Sequence, residues 1–306
     1  MILITDPVHS ILTDGLAAKG IPFEYLPGIS MEELMEALPN SIGLVVRNRN
    51  ITSEMLKTAT KLKLIARAGS GLENIDIAAA ENLGIQFIHA AGANANTVGE
   101  HAIGMLLSLL HKINKSDSEV KQGKWDREGN RGIELGGKTI GIVGYGHTGM
   151  AVAKKLKGFD VKILAYDKYK TGFGYDSVTE ASMDDIFAAS DILSLHIPLT
   201  AETKNMVNSE FLNRFAKPII LMNLCRGEVV NLADLIEAMK SDNVRACCLD
   251  VLEIETPNEY LQTDWFRYLS NNQRTVLTPH VAGWSEESYR NISEVLLKEI
   301  LAINLY

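Results

Sequence analysis

Residues 136–159 read GGKTIGIVGYGHTGMAVAKKLKGF. An apolar run at 139–143 leads into Gly144, Gly146 and Gly149, spaced as GxGxxG, and a helix-forming stretch follows. Each glycine has its own duty in such a turn: Gly144 permits the tight bend, Gly146 admits a pyrophosphate against the backbone, and Gly149 lets helix pack on strand. The next apolar run, VKILAYD, ends in Asp167, 21 residues beyond Gly146. A carboxylate there accepts hydrogen bonds from an adenosine ribose and repels a ribose phosphate, which predicts NAD over NADP. Lys168 beside it weakens that exclusion without reversing it, and His147 is read as shaping the first helical turn.

Outward from this motif, apolar runs at 161–166, 192–196, 219–223, 244–249 and 275–277 alternate with helical or irregular connections. With 139–143 they make six strands in the rhythm of a doubly wound nucleotide domain. Before the motif, runs at 2–5, 42–46, 62–67 and 85–89 alternate with helical segments at 10–19, 31–37, 53–58 and 77–82, which predicts a second, smaller parallel α/β unit. Between them, Thr97 and Glu100 have the spacing of a capping box ahead of a helix over 101–113. Apolar residues cover much of that helix, so its outer face belongs either to the core or to a subunit interface. A helical segment at 286–301 closes the chain and needs an apolar surface to cover.

The 306 residues are 46% hydrophobic and 22% charged, with 24 glycines and 8 prolines, a globular composition long enough for two domains. The amino terminus MILITDPVHS carries no basic region or apolar leader, and no run reaches transmembrane length. Cys225, Cys247 and Cys248 lie in apolar runs without metal or disulfide spacing, so core filling and a cytoplasmic setting are expected, with no metal. A formal charge of -8 argues against a general nucleic-acid surface.

Hydride exchange with an acidic alcohol needs a base at the hydroxyl, a group that tunes the base, and a cation for the carboxylate. In open parallel sheets such groups stand just beyond the carboxyl ends of strands. Arg226 follows the run ILMNLC and offers a guanidinium fork. His280 follows VLTP and can take and return a proton near neutral pH. Asp250 and Glu255 follow the run that holds Cys247 and Cys248, and either can hydrogen-bond the histidine. Each also has a plain structural reading as a salt-bridge partner, a strand cap or a loop anchor.

The segments LKLIARAGSGLENID, GKTIGIVGYGHTG, HIPLTAETKNMVN, MNLCRGEVVN, LDVLEIE and TPHVAG, in this order, resemble the D-isomer-specific 2-hydroxyacid dehydrogenases over essentially the whole chain. The resemblance implies two Rossmann-like domains. A flavodoxin-like substrate domain spans 1–92 plus 283–306, and a doubly wound NAD-binding domain is inserted at 93–282. Arg226, Glu255 and His280 become the catalytic set. Cofactor contacts are implied at Gly144, Gly146, His147, Thr148, Gly149, Asp167, His196, Pro198, Thr203, Leu224, Cys225, Arg226, Asp250, His280 and Gly283. The turn Gly69-Ser70-Gly71 becomes an anion nest, with Asn74 shaping it. A homodimer through 97–127 is implied, aided by Trp125, and Arg127 resembles a position that faces the substrate across the dimer in some relatives.

Within the family the chain looks most like the phosphoglycerate dehydrogenases. Arg47 and Arg49, two apart on an extended segment, point to one side and with Arg67 would hold a substrate phosphate. Substrate contacts are then Arg47, Arg49, Arg67, Ser70, Gly71, Arg226 and His280. The implied reaction is NAD-dependent oxidation of 3-phospho-D-glycerate to 3-phosphooxypyruvate, a step of serine biosynthesis. With the chain ending at Tyr306, no carboxy-terminal regulatory module is expected. Two departures bear on the substrate: Trp284 stands where a small residue and threonine are common, and Leu252 where phenylalanine is common. Glycerate or hydroxypyruvate, glyoxylate and D-lactate are alternative substrates, and an NAD-responsive interaction protein without turnover is a third reading.

Overall fold

The computed structural model describes residues 1–175 and 177–303 and divides the chain into two units, Met1–Asn94 with Trp284–Tyr306, and Ala95–Gly283. In the first unit β1 (Ile2–Ile4), β2 (Phe23–Tyr25), β3 (Gly43–Val46), β4 (Leu64–Arg67) and β5 (Gln86–His89) form one sheet. All pairs are parallel, in the order β2-β1-β3-β4-β5, which is the flavodoxin-like order. Strands whose two faces are both covered read as unbroken apolar runs, as ILI and GLVV do. One face packs on the helix Ser10–Ala18 and the helix Glu286–Ala302, which contributes Ile292, Leu296 and Ile300. The other is covered by Leu34, Leu38, Met55 and Leu56.

The second unit holds β6 (Thr139–Val143), β7 (Lys162–Tyr166), β8 (Val178–Glu180), β9 (Ile192–Leu195), β10 (Ile219–Asn223), β11 (Val244–Leu249) and β12 (Thr275–Leu277). Their order, β12-β11-β10-β9-β6-β7-β8 and all parallel, is the doubly wound arrangement. Two buried clusters, one on each face, sandwich this sheet. Cys247 and Cys248 alternate between them, and burial pushes the Cys247 thiol up to about 12, so both fill core.

Three expectations change. The sheets carry two further strands, β2 and β8, both at edges and only partly buried, so neither shows a continuous apolar run. The helix expected over 101–113 spans Ala95–Leu110. Thr97 is therefore inside its first turn rather than at its cap, and Glu100 bonds Asn96 and Lys155 instead of closing a capping box.

Candidate active site

Each sheet has one place where successive connections leave in opposite directions, and ligands favour the crevice there, beyond the carboxyl ends. In the larger sheet this is the gap between β6 and β9, which are followed directly by Gly144 and His196. Gly144 has φ +92°, and a Cβ on it would stand 2.3 Å from the His196 carbonyl oxygen. A Cβ on Gly149 would stand 2.1 Å from the Gly144 carbonyl oxygen. On Gly146 it would meet nothing within 4 Å. The middle glycine thus keeps open space clear at the start of the helix His147–Leu156, whose cap supplies no side-chain hydrogen bond. Free amide donors at a helix start beside open space are what a dinucleotide pyrophosphate requires, so the residues present fit NAD.

Asp167, at the end of β7, reaches back to this turn. Its carboxylate accepts from Tyr145 N at 2.9 Å and Tyr169 N at 3.0 Å. Lys168 pairs with Glu202, so its charge is already matched. His147 is exposed and Thr148 partly so, both in the first turn. Pro198 and Thr203 belong to the loop after β9, where Thr203 Oγ1 donates to Pro198 O at 2.6 Å. The His196 ring is buried, with Nε2 2.8 Å from Ser194 Oγ.

β10, β11 and β12 are parallel neighbours, so the loops after them emerge at one edge, with strands about 4.8 Å apart. They carry Arg226, Asp250 with Glu255, and His280 in turn. After β10, buried Asn223 clasps the turn: its Oδ1 accepts from Cys225 N at 3.1 Å and its Nδ2 donates to Arg226 O at 2.9 Å. Sequence reasoning passed over Asn223, although a polar residue closing a buried run is a visible signal. Leu224 and Cys225 are buried and Arg226 is partly exposed, with Nη1 donating to Cys225 O at 2.6 Å. Gly227 is required because a Cβ would stand 1.8 Å from Leu252 O.

The two acids divide their work. Glu255 Oε2 lies 2.8 Å from His280 Nδ1. With Nδ1–H donated to the carboxylate, Nε2 is left as the free acceptor of the ring. Asp250 is 2% exposed and holds the loop instead: Oδ1 accepts from Val281 N at 3.0 Å, Oδ2 from Ala282 N at 2.9 Å, and its carbonyl oxygen from His280 N at 2.7 Å. Gly283 follows directly.

In the smaller sheet the corresponding gap lies between β1 and β3. Asp6 and Arg47 follow these strands, and Asp6 Oδ2 accepts from Arg47 N at 3.1 Å. Arg47 and Asn48 form a bend, so the extended segment expected here is absent. Arg47 stacks on Trp284, 4.0 Å from the ring centroid, and burial works against its charge. Arg49 Nη2 donates to Ile29 O at 2.5 Å. The two guanidiniums therefore have different neighbours. Asn74 shapes this bend, donating to Arg49 O at 2.6 Å and Arg47 O at 3.4 Å.

Arg67, at the end of β4, folds over Gly69, whose Cβ would stand 1.6 Å from Nη1. The glycine turn lacks the alternating backbone of an anion nest. Neither Gly69 nor Gly71 has positive φ, and Gly69 N donates to Arg67 O at 2.8 Å. Ser70 Oγ is bonded to Asn94 Oδ1 at 2.8 Å. Arg127 is exposed. Among the described residues no cluster of His, Cys, Asp or Glu suits a metal ion.

The family model for the NAD binding domain of D-isomer specific 2-hydroxyacid dehydrogenases matches residues 103–282. A D-3-phosphoglycerate dehydrogenase of Archaeoglobus fulgidus is 35% identical over 98% of this chain, which spans 56% of that relative's length. A hydroxypyruvate reductase of Thermotoga maritima is also 35% identical, over 97% of this chain and 96% of the relative. Among solved structures, the D-lactate dehydrogenase of Aquifex aeolicus complexed with NAD and lactic acid superposes with a TM-score of 0.85 at 26% identity, covering 99% of this chain and 95% of that one.

Proposed function

The chain belongs to the D-isomer-specific 2-hydroxyacid dehydrogenase family, and from that premise we propose that it exchanges a hydride between NAD and C2 of a small anionic 2-hydroxy acid. The observation that carries this is the His280–Glu255 pair at 2.8 Å, beyond the carboxyl ends of the same parallel sheet that carries a cradle fit for NAD. NAD, when bound, supplies the hydride acceptor. His280 Nε2 takes the hydroxyl proton in oxidation and returns it in reduction. Glu255 holds the ring by Nδ1–H and favours the imidazolium as it forms. Arg226 pairs with the substrate carboxylate through its guanidinium fork.

For the substrate itself we favour 3-phospho-D-glycerate, oxidised to 3-phosphooxypyruvate as serine biosynthesis requires. Relatives of equal identity bear phosphorylated and unphosphorylated names, so this choice rests on Arg47. Arg47 stands at the switch point of its sheet and is partly buried. Among the described residues its side chain forms no ion pair within contact distance; it stacks on the Trp284 ring, and the neighbouring Asp6 carboxylate favours its charge against the cost of burial. An arriving phosphate would offset the desolvation that this guanidinium already bears. Arg49 is committed to Ile29 O and has the smaller part.

The test is NADH absorbance with a panel of phosphorylated and plain 2-hydroxy and 2-oxo acids. His280→Ala should lower kcat by about 10²–10⁴-fold while NAD binding persists. Turnover of 3-phosphoglycerate should exceed that of glycerate or lactate. Arg47→Ala should cut kcat/KM for the phosphorylated acid by roughly tenfold or more and leave plain acids nearly unchanged. A wide preference for a plain acid would withdraw the phosphate reading. Tight NAD binding without turnover of any acid would favour the interaction protein.

A further inference from the structure

His280 has φ +53°, in the left-handed region that costs an L-residue free energy. Something must hold the loop there, and the hydrogen bonds trace what does. The backbone amides of residues 280–282 all end on Asp250, and Asp250 Oδ1 also accepts from Thr278 Oγ1 at 2.5 Å. A hydroxyl has one proton. Because Thr278 spends it on Asp250, its oxygen is an acceptor toward His101 Nε2, 3.1 Å away. This fixes the tautomer of His101, with the proton on Nε2.

The chain of donors therefore runs from His101 to Thr278 to Asp250, where the amides of the His280 loop converge. His101 stands on the helix Ala95–Leu110, far from residue 280 in sequence. Its Nε2 is also 3.7 Å from Asp250 Oδ1, so it approaches the same carboxylate oxygen that holds Val281 N. We propose that His101 and Thr278 are positioning residues, which fix the Asp250 carboxylate and through it aim the His280 ring. Neither touches the reacting atoms in this scheme. Their work is to keep a loop in an unfavoured backbone state in one orientation, since a rotated Asp250 would release two amides and let the ring turn away from Glu255.

The inference rests on the reading of His280 as the acid/base, and the test separates the two. Thr278→Val keeps the shape and removes the hydroxyl, whereas Thr278→Ser restores it. His101→Leu removes the donor, whereas His101→Gln places an amide N–H at similar reach. Thr278→Val and His101→Leu should each lower kcat about tenfold, with the NAD dissociation constant, read by fluorescence titration, changed less than twofold. Thr278→Ser and His101→Gln should recover most of the loss. The double variant Thr278→Val/His101→Leu should be no worse than Thr278→Val alone, because both cut one chain.

Retention of kcat within twofold in Thr278→Val or His101→Leu overturns the proposal. So does an equal loss in the Ser and Gln variants, which would mark a packing role. If one variant does not fold, the other carries the test. If His280→Ala itself keeps full kcat, the acid/base reading fails first. If His280→Ala is inactive while the valine and leucine variants are unaffected, only the positioning role falls.

Discussion

His196 directly follows β9, its ring is buried against Ser194, and burial holds its pKa down at about 4. The ordinary histidine value is near 6.5. The fold therefore favours the neutral ring, and that contribution is whole above pH 6.5 and lost as pH falls toward 4. Between pH 6.5 and 5 the loss should amount to about 2 kcal/mol for this one proton. Urea unfolding of the unchanged protein and of His196→Gln at both pH values checks this. The variant should show a flatter dependence, and parallel slopes would assign the titration elsewhere.

The same residue marks where sequence reading stops. Its place at the end of an apolar run was legible, but its bond to Ser194 was not, since no spacing rule tells which way a ring at a strand end turns. Glu255 and Asp250 show this too. Both were visible as acids after one strand, and only the folded loop separates the carboxylate that meets the imidazole from the one that meets the backbone.

At the scale of elements, ten of the twelve strands among the described residues were legible to within one or two residues. The run at 219–223 coincides with β10, buried along its whole length, because two-sided burial writes an unbroken apolar signal. The edge strands β2 and β8 lacked that signal, and the helix start at Ala95 was hidden behind a false cap. Packing between helices left a subtler trace in the glycines. A Cβ on Gly99 would lie 3.1 Å from the backbone carbon and oxygen of Ala151, on the helix that opens at the cofactor turn. Backbone cannot step aside as a side chain can. Gly99→Val should therefore destabilise by about 1–3 kcal/mol. Gly104 in the same helix has nothing within 4 Å of its Cβ position, and Gly104→Ala should stabilise by up to about 1 kcal/mol. Thermal melts of the pair decide: equal effects of one sign would mean that helix propensity rather than helix approach governs this element.

At the scale of the whole molecule, large apolar residues stand exposed along the segment that follows the helix Ala95–Leu110. Ile113, Val120 and Ile133 are each at least half exposed, and Trp125 is 79% exposed. Within the chain that helix buries Val98, Ala102, Met105, Leu106 and Leu110, while Ile103, Leu107 and Leu109 are only partly covered. Aromatic and large apolar residues collected on one segment mark protein contact surfaces, where a buried tryptophan is a common anchor. Our reading is that a second copy of the chain covers 97–127. A stable interface of this kind buries roughly 1,200–2,000 Å² in total, which scattered single residues do not supply, so the contact has to run along the helix and the segment after it. Light scattering across a concentration series should give twice the mass of one chain, and Trp125→Glu should shift it toward one chain while each unit keeps its circular dichroism. A single-chain mass at every concentration would return the helix to a purely internal role. A twofold mass that Trp125→Glu leaves intact would move the interface off this segment.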